Sequence, residues 1–188
     1  MVRHAPTATT RAFAFPADES LDERGRSAAA TLAPALPSGH DVLSSPARRC
    51  LETAECAGLA APAVDRALAE CDFGTWAGRA LDELMVTEAD AVHAWMTEPG
   101  AAPHGGESLT VFAARVARWL DAQAERDGSA VAITHGGVIK AAVVHALGAP
   151  IEAFWRIDVA PLSQTELHAH DGRWTLTRAN AMPAVASA

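Results

Sequence analysis

A five-residue apolar run that leads into a pair of glycines constrains the fold of this chain more than any other feature. Residues 130–134 read Ala-Val-Ala-Ile-Thr, which carries no charge and is rich in the β-branched residues that favour a buried strand. His135 follows, and residues 136–147 have the composition of a helix. A buried strand that runs directly into a helix is the unit from which helix-covered parallel sheets are built.

The same alternation recurs along the chain. We predict further strands that end near residue 5 and that cover 41–45 and 64–69, and helices over 21–33, 46–59, 80–98 and 109–128. Asp-Gly at 171–172, between two alternating runs, predicts a β-hairpin. The sequence therefore predicts a single domain over 1–188: a three-layer α/β/α sandwich with a mostly parallel sheet that ends in an antiparallel hairpin.

Composition excludes several classes of function. The formal net charge is −8, which argues against a nucleic-acid partner, because phosphate backbones require a basic footprint. No apolar run reaches the length of a membrane helix, so we expect no membrane partner. The three cysteines form no C-x-x-C pair and no signal peptide is recognisable, and we expect a cytoplasmic protein.

Polar residues collect where the predicted strands end. In open α/β sheets, ligands bind beyond the carboxyl ends of the strands, which makes positions 3–5, 44–49, 70 and 135–137 neighbours. Within the first group, His4 suits a nucleophile toward phosphorus and Arg3 offers a planar fork of donors for phosphate oxygens. Taken alone, this pair is typical of an exposed terminus. The strand that should carry it looks clipped, so we expect the natural chain to begin upstream.

The other three groups have chemistry that matches an anion. Arg48 and Arg49 lie on the first turn of a predicted helix, where positive charge opposes the helix dipole unless an anion binds there. The backbone at Gly136 begins another helix and presents free N–H groups to an anion. A carboxyl at Glu70, among so many cations, is best explained as a proton donor to a leaving group.

Taken together, these stretches resemble the histidine phosphatase superfamily, which has the phosphoglycerate mutase-like fold. Residues 3–5 resemble its Arg-His-Gly signature, residues 44–55 its second signature and residues 70–78 its acid loop. Residues 105–108 and 134–137 match in order and approximate spacing. Each motif is weak alone, but five in order along nearly the whole chain are specific.

The resemblance implies a role for each residue. His4 would be the nucleophile that forms a phosphohistidine, and Glu70 would protonate the leaving oxygen. Arg3, Arg49 and His135 would hold the phosphoryl oxygens. The substrate would be a small phosphorylated metabolite, and no metal or cofactor would be needed.

The chain departs from the family pattern on the substrate side. Ala5 stands in place of the usual Gly, and Thr10 stands where the family often has Asn. We expect Thr10 to contact substrate, Arg11 to bind a second anionic group, and Arg48 to lie at the surface.

Several alternatives stay open at this point. The resemblance also covers phosphoglycerate mutases, although the short stretch between 76 and 105 favours a phosphatase. Among phosphatases, the resemblance includes those that act on small metabolites such as α-ribazole phosphate. A non-catalytic phosphatase-like binding protein would be expected to lack one of the five residues above.

A serine esterase is disfavoured because residues 106–110 lack the second glycine of G-x-S-x-G. His168 and His170 share a strand face but have no third metal ligand nearby. A C-terminal hairpin edge with Trp174 favours a homodimer.

Overall fold

The computed structural model describes residues 1–33, 36, 39–59 and 61–183. It contains one six-stranded sheet in the order β3-β2-β4-β1-β5-β6. The strands are β1 (Val2–Arg3), β2 (Asp41–Ser44), β3 (Ala63–Val64), β4 (Ala130–Thr134), β5 (Gln164–His170) and β6 (Arg173–Ala181). The first four run parallel, and β5 and β6 form the antiparallel hairpin. The mostly parallel sheet is confirmed. The single domain over 1–188 stays a prediction, because that range includes residues 34, 35, 37, 38, 60 and 184–188, which lie outside the described residues.

Helices cover both faces of this sheet. They are α1 (Ala8–Arg11), α2 (Glu23–Ala30), α3 (Arg48–Cys56), α4 (Leu81–Thr87), α5 (Ala89–Thr97), α6 (Leu109–Ala124) and α7 (Gly136–Ala146). Val131 and Ile133 of β4 pack into a core with α2 and α3, while Ala132 between them packs into a core with α6 and α7. Alternate residues of one strand thus serve opposite faces, which confirms the three-layer sandwich. In the described ranges, no helix has the length and apolarity needed to cross a bilayer.

β1 is short but central. Val2 pairs with Ile133 of β4 on one side and with Gln164 of β5 on the other. Beyond the strand, the His4 N–H still donates to the Thr134 carbonyl at 2.8 Å, and the Arg3 carbonyl accepts from the Leu162 N–H at 3.0 Å. These bonds hold the backbone of His4 at the carboxyl end of the sheet.

Two predicted elements are broken by side-chain contacts. The strand predicted over 64–69 stops at Val64, because Asp65 accepts the Ala67 N–H at 2.9 Å and starts a 3-10 turn over Arg66–Leu68. The helix predicted over 80–98 divides at Glu88, whose backbone leaves the helical region at φ −141° and ψ 40°. The Glu88 carboxylate accepts the Trp76 indole N–H at 2.9 Å and also pairs with Arg79.

Helix starts also differ from expectation. Helix α3 begins at Arg48 after Ala47, two residues later than the predicted start, and no side chain caps it. The Ser45 hydroxyl accepts the Ala47 N–H at 3.3 Å and also bonds to His135. No helix was predicted between β1 and α2, where the structure has the single turn α1, capped by Thr7.

Candidate active site

His4 lies just past β1, with one ring nitrogen bonded to the backbone and the other accepting a hydrogen bond from Arg49. Its Nδ1 is 2.7 Å from the Ala5 carbonyl oxygen, so Nδ1 carries the hydrogen and Nε2 keeps its lone pair. The Nε2 atom is 3.3 Å from the Nε of Arg49. Burial, followed by the charge of Arg49, lowers the pKa of His4 to about 3. The imidazole is therefore neutral near pH 7, as a nucleophile must be.

Arg49 and His135 form the wall beside this nitrogen. Arg49 is 3% exposed and donates from its NH2 group to His135 Nδ1 at 3.1 Å. His135 Nε2 then carries the ring hydrogen and donates to the Ser45 hydroxyl at 2.7 Å. Burial, followed by the charges of His4 and Arg49, holds the pKa of His135 well below its ordinary value. In this arrangement His135 is a neutral ring that orients Arg49.

Arg3 is the last residue of β1, and its side chain lies beside Gly136 at the start of α7. One guanidinium nitrogen donates to the Val159 carbonyl at 2.5 Å. Its buried Nε has no acceptor among the described residues, and a Cβ at Gly136 would lie 3.4 Å from that atom. A buried donor that lacks an acceptor is costly, so it fits a site that receives an anion next to the α7 N-terminus.

Thr53 of α3 explains how Ala5 is held. The buried Ala5 N–H donates to the Thr53 hydroxyl at 3.0 Å, and that hydroxyl donates to the Arg49 carbonyl at 2.6 Å. One side chain thus ties the residue after His4 to the backbone of Arg49. The methyl group of Ala5 is fully buried in the core between the sheet and α2 and α3.

The Glu70 side chain lies against the first turn of α7 and lines the same pocket as Arg3. Its Oε2 accepts the Gly137 N–H at 3.2 Å and its Oε1 accepts the Cys71 N–H at 3.1 Å. A Cβ at position 137 would overlap the Glu70 carboxylate. The second glycine of His135-Gly136-Gly137 is therefore required by the carboxyl group that packs against it.

Arg115 on α6 supports the loop that carries Glu70, and the sequence motifs did not indicate it. Its guanidinium donates to the carbonyls of Ala67 and Ala69 at 2.9 Å and to that of Glu70 at 3.2 Å. It also forms a two-point ion pair with Glu107, at 2.9 and 2.6 Å. The only sequence signal was an arginine about two helical turns after Gly106-Glu107-Ser108, and such a spacing is too common to single this residue out.

The structure does not bring all the expected substrate contacts together. Thr10 shares a capping box with Thr7 on α1, and Arg11 is exposed and paired with Asp22. Arg48 is exposed, as expected, and its backbone N–H donates to Asp18 at 2.9 Å. A role for Thr10 and Arg11 in substrate binding stays a prediction.

A pocket of about 220 Å³ opens beside Arg3 and Glu70. We call it the aromatic pocket, and its walls include Phe73, Trp95, Phe154, Trp155 and Lys140. Trp95 and Trp155 meet edge to face, with ring centroids 4.8 Å apart. The pocket is smaller than a typical drug-sized site, but it has the aromatic lining and the few charged groups that are usual in small-molecule sites.

The metal-binding alternative has no support in the geometry. Over the described ranges, no three His, Cys, Asp or Glu side chains lie together in a way that could hold a metal ion. His168 and His170 lie on β5, and the His170 side chain is 91% exposed.

Comparison with known proteins gives a consistent result. The family model for the histidine phosphatase superfamily (branch 1) matches residues 1–182. Phosphoserine phosphatase 1 of Hydrogenobacter thermophilus is 31% identical over 172 residues, covering 87% of this chain and 81% of that protein. Glucosyl-3-phosphoglycerate phosphatase of Mycobacterium tuberculosis is 32% identical over 196 residues, covering 90% and 87%.

Solved structures agree. A mycobacterial glucosyl-3-phosphoglycerate phosphatase, in a complex with VO3, superposes with a TM-score of 0.84 at 28% identity, covering 96% of this chain and 97% of that one. A putative α-ribazole-5′-phosphate phosphatase from Escherichia coli gives 0.85 at 25% identity, covering 96% and 95%. The match of the family model over almost the whole chain shows that this protein belongs to the histidine phosphatase superfamily, branch 1.

Proposed function

We propose that the protein hydrolyses phosphate monoesters of small metabolites through a phosphohistidine at His4. The observation that carries this proposal is the buried, neutral His4 ring, with Nδ1 bonded to a carbonyl and Nε2 directed toward the guanidinium of Arg49. The relatives named for phosphoserine, glucosyl-3-phosphoglycerate and α-ribazole-5′-phosphate support the same substrate class.

In the first step, the Nε2 lone pair of His4 attacks phosphorus and the bond to the ester oxygen breaks. Glu70 gives its proton to the departing oxygen, which leaves as the alcohol. Arg3 and Arg49 hold the phosphoryl oxygens and stabilise the charge on them during transfer. His135 keeps Arg49 in place and joins this wall of the site.

In the second step, water attacks the phosphohistidine. The Glu70 carboxylate accepts a proton from the water, the P–N bond breaks, and its electron pair returns to His4 Nε2. Inorganic phosphate leaves, and Glu70 is again protonated. Side chains and the attacking water account for every proton and charge in these two steps, so we propose that no metal or cofactor takes part.

Two substitutions test the mechanism. His4→Ala should abolish hydrolysis of an aryl phosphate, and Glu70→Gln should lower kcat by about 10²- to 10⁴-fold, the usual contribution of a positioned acid and base. Rapid quenching of the wild-type reaction should trap one acid-labile phosphoryl group on His4. His93→Ala, at an exposed position on α5, is the control and should keep full activity. Near wild-type turnover by His4→Ala would contradict the mechanism.

The same assay separates a phosphatase from a mutase. With a phosphoglycerate as substrate, a phosphatase releases inorganic phosphate, whereas a mutase returns the phosphoryl group to the sugar acid. We expect release of phosphate, inhibition by vanadate, and full activity in EDTA.

We also propose a cytoplasmic location and a homodimer through the β6 edge. Three free cysteines suit a reducing compartment, and β6 lies at one end of the sheet, where an edge strand can pair with a second copy. Cell fractionation and light scattering test these two points.

A further inference from the structure

Lys140 is the single lysine of the chain, and it lies in the wall of the aromatic pocket. It is half-buried on α7, and its Nζ lies 5.3 Å from the centroid of the Phe154 ring. Gly136 and Lys140 are four residues apart on α7, so they share one face of the helix and lie roughly 6 Å apart along its axis. Lys140 is thus one helical turn beyond the proposed phosphate site.

Among the residues that the structure describes, the ammonium group of Lys140 has no ion-pair partner. Across the part of the chain that the structure describes, no carboxylate oxygen lies within 4.0 Å of Lys140 Nζ. Burial lowers the pKa of Lys140, while the more distant charges of Asp158 and Glu70 act in the opposite direction and Arg3 adds to the lowering. Glu70 and Asp158 line the same pocket, but neither bonds directly to the ammonium group. A partly desolvated cation without a directly bonded anion costs free energy unless a ligand supplies one. An exposed lysine would avoid this cost.

We propose that Lys140 binds a carboxylate on the alcohol half of the substrate, an inference that rests on the proposed function. A phosphate ester bound at Arg3 and Arg49 extends into the aromatic pocket. Arg3 and Lys140 line this same pocket, so a carboxylate a few bonds beyond the ester oxygen can lie between the phosphate site and the ammonium group. Trp95, Trp155 and Phe154 pack against the carbon skeleton, and Lys140 selects phosphorylated hydroxy acids or hydroxyamino acids over neutral phosphorylated alcohols.

Two matched substrate pairs test this selection. Phosphoserine and phosphoethanolamine differ in one carboxylate, as do 3-phosphoglycerate and glycerol 3-phosphate. We expect the wild-type kcat/KM to favour the carboxylated member of each pair by about 10- to 100-fold, the range that a hydrogen bond between charged groups supplies. In Lys140→Met both ratios should fall close to 1, because the loss of kcat/KM should be much larger for the carboxylated ester of each pair than for its neutral partner. Lys140→Arg should keep most of the preference, and Arg118→Gln, at an exposed position on α6, should keep all of it.

Two results would overturn the inference. One is a wild-type ratio near 1 in both pairs; the other is a loss in Lys140→Met that is equal for all four esters, which would indicate a structural role. Failure of the proposed function is seen separately, because the wild type would then hydrolyse none of the esters or the aryl phosphate. In that case calorimetric titration with each pair still decides the matter. Tighter binding of the carboxylated member that Lys140→Met removes would support the inference, and equal binding would reject it.

Discussion

Gly137 shows how much a single residue determines here. Its backbone N–H binds the Glu70 carboxylate at 3.2 Å, and the space that a side chain would fill is taken by that same carboxylate. The two glycines after His135 therefore differ in what they require. Gly137 leaves room for the proposed proton donor, whereas a Cβ at position 136 would make only ordinary van der Waals contact with Arg3, at 3.4 Å.

Gly137→Ala should lower activity almost as much as the loss of Glu70. The new methyl group displaces the carboxylate from the site, while alanine itself is favoured in a helix, so the free energy of unfolding should change little. Steady-state kinetics and urea unfolding measure the two effects. Gly100→Ala is the matched control, because nothing lies within 4 Å of a Cβ built there. Unchanged kcat in Gly137→Ala would show that Glu70 does not act from this position.

At the scale of elements, the site depends on how α3 is joined to the end of β1. Arg49, on the first turn of α3, reaches His4, and Thr53, on its second turn, binds the backbone of Ala5. The strand contributes only two residues, so its end is positioned mainly by this helix and by β4 and β5. A change in α3 should therefore alter both stability and catalysis.

Thr53→Val tests that connection. Valine has nearly the same shape but leaves the buried Ala5 N–H without an acceptor, which costs about 1–3 kcal/mol of stability. We expect a lower urea midpoint together with a lower kcat, because a shift of Ala5 also displaces the neighbouring His4. Thr53→Ser keeps the hydroxyl and should retain most of both. Loss of stability with kcat intact would mean that this bond does not position the nucleophile.

For the whole molecule, two histidines that are buried without charge make stability depend on pH. The pKa of His4 is lowered to about 3 and that of His135 well below its ordinary value, whereas both return to about 6.5 in the unfolded chain. The unfolded state thus binds more protons, so the free energy of unfolding falls as pH drops below about 6.5.

The expected slope between pH 6.5 and pH 5 is on the order of 1 kcal/mol per pH unit for each histidine. Urea unfolding across this range measures it. His4→Gln removes one of the two titrating rings and should flatten the slope by about half. An identical slope in this variant would show that His4 does not stay neutral in the folded state.

The sequence was informative where local chemistry decides structure. The apolar run before His135, the Asp-Gly hairpin turn and the order of the five motifs predicted the sheet and its covering helices. The residues that escaped prediction act through distant contacts. Glu88 divides a helix because Trp76 and Arg79 hold its carboxylate, and Arg115 supports Glu70 from another element. Lys140 could have been noticed as the single lysine, but its pocket is formed by side chains that are far apart in the chain.

The place of β1 between β4 and β5 has a consequence for biosynthesis. His4 precedes in the chain both strands that flank it, and these strands end at residues 134 and 170. The His4 imidazole therefore stays in an incomplete sheet until residue 170 has been translated. Pairing across such a distance closes a long loop and slows folding. The phosphoryl transfer proposed at His4 can thus begin only after both flanking strands have been made.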